Sequence, residues 1–323
     1  MRRRKKTKIL AEAASTSLII GGLALAGLDI ARRVFRHTQI FCPERAPLLS
    51  WDPSDYGIPR DRVQEEWFES GDGELLYGWY CRAEAPIASA VFCHGNTGNL
   101  TTIAEIMPYL MRAGYNVLVF DYRGYGRSSG IPSFGGVVAD GITAARFHEK
   151  IRPNDLPSIL YGFSLGGAVA AQVIQHHPFD GMILQSTFTS LPDITRAVFP
   201  RLPLHLLAGN LFDTKSVVRR LRVPLLLIHG TADEVCPPWM AHVLHDACPA
   251  AKRLHTIDGG LHKDLFMRDS DAIVESVTRF IADLPHSRPA IIDREQSSVE
   301  ELIDSAFRYV RRYLRRHSVP EAL

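Results

Sequence analysis

The sequence lacks a charge excess, a disulfide framework and any residue spacing typical of a cofactor site. Its 37 lysines and arginines are balanced by 35 aspartates and glutamates, so the net charge is +2 and a nucleic-acid partner is not expected. Five cysteines, an odd number spread over 323 residues, argue against a small disulfide-bonded fold. No metal-ligand spacing or phosphate-binding loop occurs, and we predict no metal and no cofactor. Hydrophobic residues make up 46%, close to the average of globular proteins.

Long apolar segments are scarce too, and the candidate for a membrane span lies near the N-terminus. Residues 13–28 form an apolar run of 16 residues, and extension to 9–31 gives 23, close to the ~20 that span a bilayer. Six basic residues precede this run and three arginines follow it, which weakly favours an internal N-terminus. We predict a basic segment with a single-pass anchor in 1–36, in contact with membrane lipid. A cleaved signal peptide, suggested by Ala-Leu-Ala at 24–26, and a surface-lying or core-docked helix are the alternatives.

A second basic segment lies at the C-terminus. Ser298 and Glu301 form a Ser-x-x-Glu capping box, and apolar residues then recur at helical spacing as far as Leu314. Five arginines crowd the second half of this segment, which suits the negative end of a helix dipole. We predict a C-terminal extension, 286–323, with a basic amphipathic helix docked on the protein body. A helix that lies on an anionic membrane surface is the alternative.

Short β-branched and aliphatic runs, bounded by Gly, Pro or Asp, recur along the middle of the chain. The first two flank a Ser-Gly-Asp-Gly turn and predict a hairpin, and the later ones alternate with helical patterns. This order predicts an α/β fold with a mostly parallel eight-stranded sheet and helices on both faces. The predicted strands are 66–69, 75–81, 90–93, 116–120, 158–161, 182–185, 224–228 and 253–257. They form a predicted domain over 63–285, preceded by a linker over 37–62.

The connection after the sixth predicted strand is about 40 residues long and breaks the rhythm of short loops. It is rich in bulky apolar residues and is interrupted by three prolines. A long connection inside a compact domain is usually functional. We therefore predict a small cap at about 187–222, and an ordinary core helix with its loops is the alternative.

The residues that indicate chemistry begin with Ser164, in the pattern Gly-x-Ser-x-Gly at 162–166. The pattern follows a predicted strand and precedes a predicted helix. A sharp strand–turn–helix connection exposes the serine hydroxyl, and side chains at the two glycine positions would collide with the turn. Ser164 is therefore the candidate nucleophile.

A serine nucleophile needs a histidine base and a carboxylate that orients this base. After an elbow of this type the acid comes first along the chain and the histidine follows. Asp233 and His262 follow the last two predicted strands, so both fall at the carboxyl edge of the sheet. The weaker rivals are Glu234, Asp213 and Asp258 for the acid and His255, His242 and His245 for the base.

A further loop, His-Gly-Asn-Thr-Gly-Asn at 94–99, follows the third predicted strand. A loop at this place normally gives one backbone N–H to an oxyanion hole, and the residue after the nucleophile gives the second. We assign these two donors to Asn96 and Leu165. The histidines at 94 and 229 are interpreted as residues that hold loops by hydrogen bonds.

Together these motifs resemble the serine α/β-hydrolases, over roughly 63–284. Within them the chain is similar to a membrane-associated branch that includes protein depalmitoylases. The resemblance rests on His-Gly-Asn at 94–96, Asp-Tyr-Arg-Gly-Tyr-Gly-Arg-Ser at 121–128 and Gly-Phe-Ser-Leu-Gly-Gly at 162–167. It implies the α/β-hydrolase fold and a hydrolase that acts through an acyl-enzyme.

The expected substrate is a carboxylic ester or thioester, and the apolar cap and the anchor favour one with an acyl chain. A peptidase of the same fold is one alternative, although we find no paired acidic cluster in the cap for a substrate amine. A non-catalytic membrane-associated scaffold is another, against which the intact Ser-Asp-His set argues.

Overall fold

The computed structural model describes residues 40–201, 205 and 212–285. Within these residues no helix has both the length and the apolar character needed to cross a membrane. The predicted N-terminal anchor in 1–36 and the predicted C-terminal helix in 286–323 lie outside the described residues, as does the middle of the predicted cap.

In chain order the strands are β1 (Cys42–Pro43), β2 (Val63–Glu69), β3 (Leu75–Cys81), β4 (Ala88–Cys93), β5 (Thr97–Gly98), β6 (Tyr115–Phe120), β7 (Ser158–Phe163), β8 (Gly181–Gln185), β9 (Leu225–Gly230) and β10 (Lys252–Ile257). The domain is built on an eight-stranded sheet with the order β10-β9-β8-β7-β4-β6-β3-β2. The pairs β2–β3 and β3–β6 are antiparallel, and all the other pairs of this sheet are parallel. The mostly parallel eight-stranded sheet and the N-terminal hairpin predicted from sequence are confirmed.

Helices cover both faces of this sheet, as predicted. Successive side chains of a strand point to opposite faces. In β4, Val91 and Cys93 pack in one core cluster, whereas Ala90 and Phe92 pack in the other. This is why the central strands are apolar at most positions. The helices are α1 (Met107–Arg112), α2 (Phe134–Ile151), α3 (Leu165–Val173), α4 (Leu191–Val198), α5 (Thr214–Val218), α6 (Trp239–Ala247) and α7 (Leu265–Ala282).

The two faces carry different helices. Helices α2 to α6 contribute buried residues to one cluster, and α1 and α7 contribute to the other. Helix α7 begins at Leu265 and has a non-helical backbone at Asp269 (φ −149°, ψ 65°). Its start at Leu265 lies three residues after His262, so the last strand, the histidine loop and the helix follow one another closely.

The segment assigned to a linker, 37–62, is packed against the domain from residue 40 on. Phe41 belongs to one core cluster, and Tyr56 and Ile58 belong to the other. Strand β1 pairs in parallel with β5, which follows the loop at 94–96. The apolar residues that bind this segment to the fold are too widely spaced to show a helix or strand period, so the sequence pattern missed them.

Within the predicted cap, the described residues form α4 and α5. Helix α4 begins after Ser190, whose hydroxyl accepts a hydrogen bond from the Asp193 N–H. Helix α5 begins after Asp213, whose carboxylate accepts from the Ser216 N–H. Both are N-caps of the kind that start a helix at a polar residue.

Candidate active site

Ser164 lies at the turn between β7 and α3 with φ 53° and ψ −119°, a left-handed backbone conformation that a residue with a side chain rarely adopts. The turn is tight because the neighbouring backbone segments touch it. A Cβ atom added at Gly166 would lie 1.9 Å from the Cys93 carbonyl oxygen, and one at Gly162 would lie 2.5 Å from the Gly166 carbonyl oxygen. Both glycines are therefore required by close backbone approach, as the motif predicts.

The structure brings Ser164, His262 and Asp233 into one hydrogen-bonded chain. His262 Nε2 lies 3.0 Å from Ser164 Oγ, and His262 Nδ1 lies 2.9 Å and 3.1 Å from the two Asp233 carboxylate oxygens. A carboxylate can only accept, so Nδ1 carries the proton and Nε2 is left to accept from the serine hydroxyl. All three residues are at least nine-tenths buried.

Two parallel strands place the histidine and the acid. Asp233 follows β9 and His262 follows β10, and these strands are neighbours that pair from Leu225–Lys252 to Gly230–Ile257. The two loops are joined directly, since the Ala232 N–H donates to the Gly260 carbonyl at 2.9 Å. The carboxyl ends of adjacent parallel strands therefore hold the pair in register.

The Asp233 carboxylate is surrounded by donors. Oδ1 accepts from the backbone N–H groups of Val235 and Cys236 at 2.9 Å and 2.7 Å, and His229 Nε2 lies 3.3 Å from Oδ2. Burial by itself raises the pKa of Asp233, but contacts with His229 and His262 and the backbone outweigh it and hold that pKa well below its usual range. The group is therefore an anion at neutral pH.

The sequence predicts His229 only as a residue that holds a loop, whereas the structure places it against the acid. It sits at the end of β9, four residues before Asp233, and its Nε2 also lies 2.8 Å from the Cys236 carbonyl oxygen. The His-Gly pair at this strand end was the available signal. The weaker rivals for the acid lie elsewhere: Asp213 caps α5, and Asp258 accepts from the Thr231 hydroxyl.

The loop after β4 runs against the elbow. A Cβ atom at Gly95 would lie 3.6 Å from the Ser164 Cβ, so the backbone next to Asn96 borders the serine. Leu165 is the first residue of α3, where N–H groups have no partner inside the helix. Both predicted donors thus belong to backbone segments that flank Ser164.

The cysteine that ends β4, next to this cluster, is not a second nucleophile. Burial raises the pKa of the Cys93 thiol to about 12, which keeps it protonated and unreactive. In the part of the chain that the structure describes, no group of three or more His, Cys, Asp or Glu side chains could hold a metal ion. The arrangement is suited to nucleophilic attack by a serine with a histidine as base.

A family model described as serine aminopeptidase, S33, matches residues 84–217 and 213–269 of the chain. These matches cover the elbow, the acid and the histidine. The uncharacterized protein YfhR of Escherichia coli strain K12 is 33% identical over 242 residues, which is 71% of this chain and 84% of YfhR. The chain therefore belongs to this family of the serine α/β-hydrolase superfamily, and the predicted resemblance to the serine α/β-hydrolases is confirmed.

Two further comparisons are with a relative named as a membrane protein and with a solved esterase structure. An uncharacterized membrane protein of Saccharomyces cerevisiae, YNL320W, is 27% identical over 79% of this chain and 93% of its own. The Pyrococcus furiosus esterase Pf2001 has the same fold, with a TM-score of 0.62 and 19% identity over 76% of this chain and 98% of the esterase. The protein is a hydrolase with the α/β-hydrolase fold, as predicted.

Proposed function

We propose that the protein cleaves carboxylic esters or thioesters with Ser164 as nucleophile, His262 as general base and acid, and Asp233 as the group that orients His262. The observation that carries this proposal is the continuous hydrogen-bonded chain from the Asp233 carboxylate through the imidazole to the serine hydroxyl. Such a chain is the geometry that activates a serine.

The reaction follows from this geometry. Ser164 Oγ attacks the acyl carbon while His262 Nε2 takes the hydroxyl proton, and the carbonyl electron pair moves onto oxygen. The N–H groups of Asn96 and Leu165 stabilise that oxyanion. Collapse breaks the bond to the leaving oxygen or sulfur, which receives the proton from His262. A water molecule then attacks the acyl-enzyme with the same base, releases the acid and restores Ser164.

An acyl-chain substrate is the finer part of the proposal. The predicted cap is rich in bulky apolar residues, and Val235 and Leu261, which neighbour the acid loop and His262, leave 39% and 40% of their surface exposed. Such a rim favours an alkyl chain over a small polar acid. We expect kcat/KM for p-nitrophenyl esters to rise from C2 towards C16. A flat profile, or one limited to short chains, would contradict this substrate class.

The role of Ser164 is tested by labelling with a fluorophosphonate probe. We expect the native chain to be labelled and Ser164→Ala to remain unlabelled, because the probe bonds to the activated serine oxygen. Ser54→Ala, which changes an exposed serine, is the matched control and should be labelled like the native protein. Labelling that persists in Ser164→Ala would remove this residue from the proposed role.

A peptidase activity is the second candidate, and the description of the matched family as a serine aminopeptidase favours it. The two functions are separated by assaying aminoacyl p-nitroanilides beside p-nitrophenyl esters that share the same leaving-group chromophore. We expect turnover of the esters alone. Turnover of the anilides that disappears in Ser164→Ala would establish the peptidase instead.

We also propose that the N-terminal segment binds membrane lipid. Its apolar run between basic clusters supports this, as does the relative named as a membrane protein. The full chain should sediment with anionic lipid vesicles, whereas a chain that begins at residue 37 should stay in the supernatant. Equal sedimentation of the two proteins would contradict an anchor in 1–36.

A further inference from the structure

Three consecutive carbonyl groups of the loop after β4 are held by hydrogen bonds. The Tyr122 hydroxyl donates to the His94 carbonyl at 3.1 Å. The Asn96 carbonyl accepts from the Tyr125 hydroxyl at 2.8 Å and from the Cys42 N–H of β1 at 2.9 Å. Between them, His94 Nδ1 lies 2.7 Å from the Gly95 carbonyl oxygen. The loop backbone is therefore fixed peptide by peptide, and His94 holds the middle one.

The position of the His94 ring is fixed by its neighbours. The side chain is 1% exposed, and its ring packs against those of Tyr122 and Tyr125, with centroids 4.4 Å and 5.1 Å away. Its other nitrogen, Nε2, has no hydrogen-bond partner among the described residues and faces Asp121, whose Oδ1 is 3.7 Å away. The polar contact that the ring makes at normal hydrogen-bond distance is thus the one to the Gly95 carbonyl.

The proton on His94 is assigned by chemistry. A carbonyl oxygen only accepts, so a 2.7 Å contact requires a hydrogen on Nδ1. Burial lowers the pKa of His94 to about 4 and raises that of Asp121 to about 7. The imidazole is therefore neutral at neutral pH, and its single N–H is the one that points at Gly95.

The peptide between Gly95 and Asn96 connects this hydrogen bond to the chemistry. No cis peptide bond occurs in the described chain, and in a planar trans peptide the C=O and the following N–H point in opposite directions. A donor that fixes the Gly95 carbonyl therefore fixes the direction of the Asn96 N–H. It also polarises the peptide, which strengthens that N–H as a donor.

We propose that His94 is a positioning residue that aims the Asn96 N–H at the oxyanion by donating from Nδ1 to the Gly95 carbonyl. This inference rests on the proposed function, in which Asn96 is one of the two oxyanion donors. His94, which follows β4, thereby contributes to stabilisation of the transition state as well as to the packing of the loop.

The test uses two amides that mimic different nitrogens of the imidazole. In Asn the amide nitrogen is bonded to Cγ, as Nδ1 is, whereas in Gln it lies further out, near the place of Nε2. We expect His94→Asn to keep kcat for p-nitrophenyl butyrate within about 3-fold of the native value. His94→Gln should lower kcat by ~10²-fold with KM unchanged, because an oxyanion donor acts mainly in the transition state.

The affinity for a transition-state mimic is a measurement that a purely structural role of His94 would leave unchanged. An alkyl trifluoromethyl ketone adds to the serine and places an anionic oxygen in the hole, so its affinity should fall in His94→Gln in parallel with kcat. The midpoint of thermal unfolding is measured for each variant. Equal losses of kcat in the Asn and Gln variants, or a native kcat in His94→Gln, would overturn the proposal.

A second measurement needs no variant and guards against a Gln variant that does not fold. In native protein labelled with ¹⁵N-histidine, His94 should show the chemical shifts of the tautomer protonated at Nδ1. The opposite tautomer would overturn the proposal. Failure of the proposed function is distinguished by Ser164→Ala: if that variant keeps full esterase activity, the hydrolytic role of Ser164 is wrong whatever the His94 variants do.

Discussion

Among the residues that the structure describes, two buried serine–histidine hydrogen bonds lie at different places in the sheet. At the carboxyl edge, His262 Nε2 lies 3.0 Å from Ser164 Oγ. In β4, Ser89 Oγ lies 2.7 Å from Nε2 of His148, a residue of α2. The shorter of the two pairs is the one that we do not assign to catalysis. Hydrogen-bond length therefore does not distinguish a reactive pair from a structural one.

The two pairs differ in the surroundings of each partner. Ser89 lies in a regular strand and is fully buried, whereas Ser164 lies at a strained turn with φ 53° and is 7% exposed. Nδ1 of His148 has no hydrogen-bond partner among the described residues, whereas Nδ1 of His262 is bound to Asp233. A reactive pair thus requires an open turn on one side and a carboxylate on the other.

Exchange of either serine for alanine gives the largest expected contrast. Ser164→Ala removes the proposed nucleophile and should lower kcat/KM for p-nitrophenyl esters by ~10⁴–10⁶-fold. Ser89→Ala should leave kcat/KM within about 2-fold of the native value, since this pair does not reach substrate. Steady-state kinetics on both proteins provide the check. A large loss in folded Ser89→Ala would break the distinction between the two pairs.

The carboxylate behind His262 gives the second contrast. Asp233→Asn removes the negative charge, and the amide no longer accepts a hydrogen bond from His262 Nδ1 as the carboxylate does. We therefore expect kcat to fall by ~10⁴-fold. Asp258→Asn is the matched control, because this acid follows β10 at the same edge of the sheet and accepts from the Thr231 hydroxyl instead. Equal kinetics for the two variants would show that Asp233 does not orient the base.

The free energy of unfolding should depend on the hydrogen bond between Ser89 and His148. Ser89→Ala leaves a buried imidazole nitrogen without its partner at 2.7 Å. An unpaired buried polar group costs ~1–3 kcal/mol, so the free energy of unfolding should fall by about 2 kcal/mol while activity stays native. Urea unfolding followed by circular dichroism measures this change. An unchanged midpoint would mean that the Ser89–His148 bond contributes nothing to the fold.

The pH dependence of the free energy of unfolding provides a further test of the buried His148. Burial, with a smaller contribution from Arg152, lowers the pKa of His148 to about 3 in the folded protein, compared with ~6.5 in an unfolded chain. Between these values the unfolded state binds the extra proton. The stability that depends on a neutral His148 is therefore fully present above pH ~6.5 and is lost as the pH falls towards 3.

His148→Gln tests this expectation. Between pH 6.5 and 5.5 the native protein should lose ~1 kcal/mol of unfolding free energy more than the Gln variant does. Urea titrations of both proteins at a series of pH values give the difference. Parallel curves over this range would show that His148 is not held neutral by burial.

Much of the site could be predicted because its requirements are local or follow from strand order. The turn at Ser164 needs small residues on both sides, and this leaves the Gly-x-Ser-x-Gly pattern in the sequence. Asp233 and His262 each follow a recognisable apolar strand, and parallel strands bring their carboxyl ends to one edge. The central strands could be predicted because burial on both faces makes them apolar at most positions.

Other features depend on residues that are distant along the chain and could not be predicted. The contact of Phe41, Tyr56 and Ile58 with the core turned a predicted linker into part of the fold. His148 lies 59 residues from Ser89, and the sequence around either residue carries no sign of the other.

The sequence by itself determined the fold class, the elbow and the order of the three polar residues, because sterics and strand periodicity act over a few neighbouring positions. Tertiary structure decided which of two serine–histidine pairs has a carboxylate behind it, and that His94 faces the carbonyl of Gly95. Those outcomes depend on the packing of separate strands and loops, where a difference of about 1 Å decides whether a hydrogen bond forms at all.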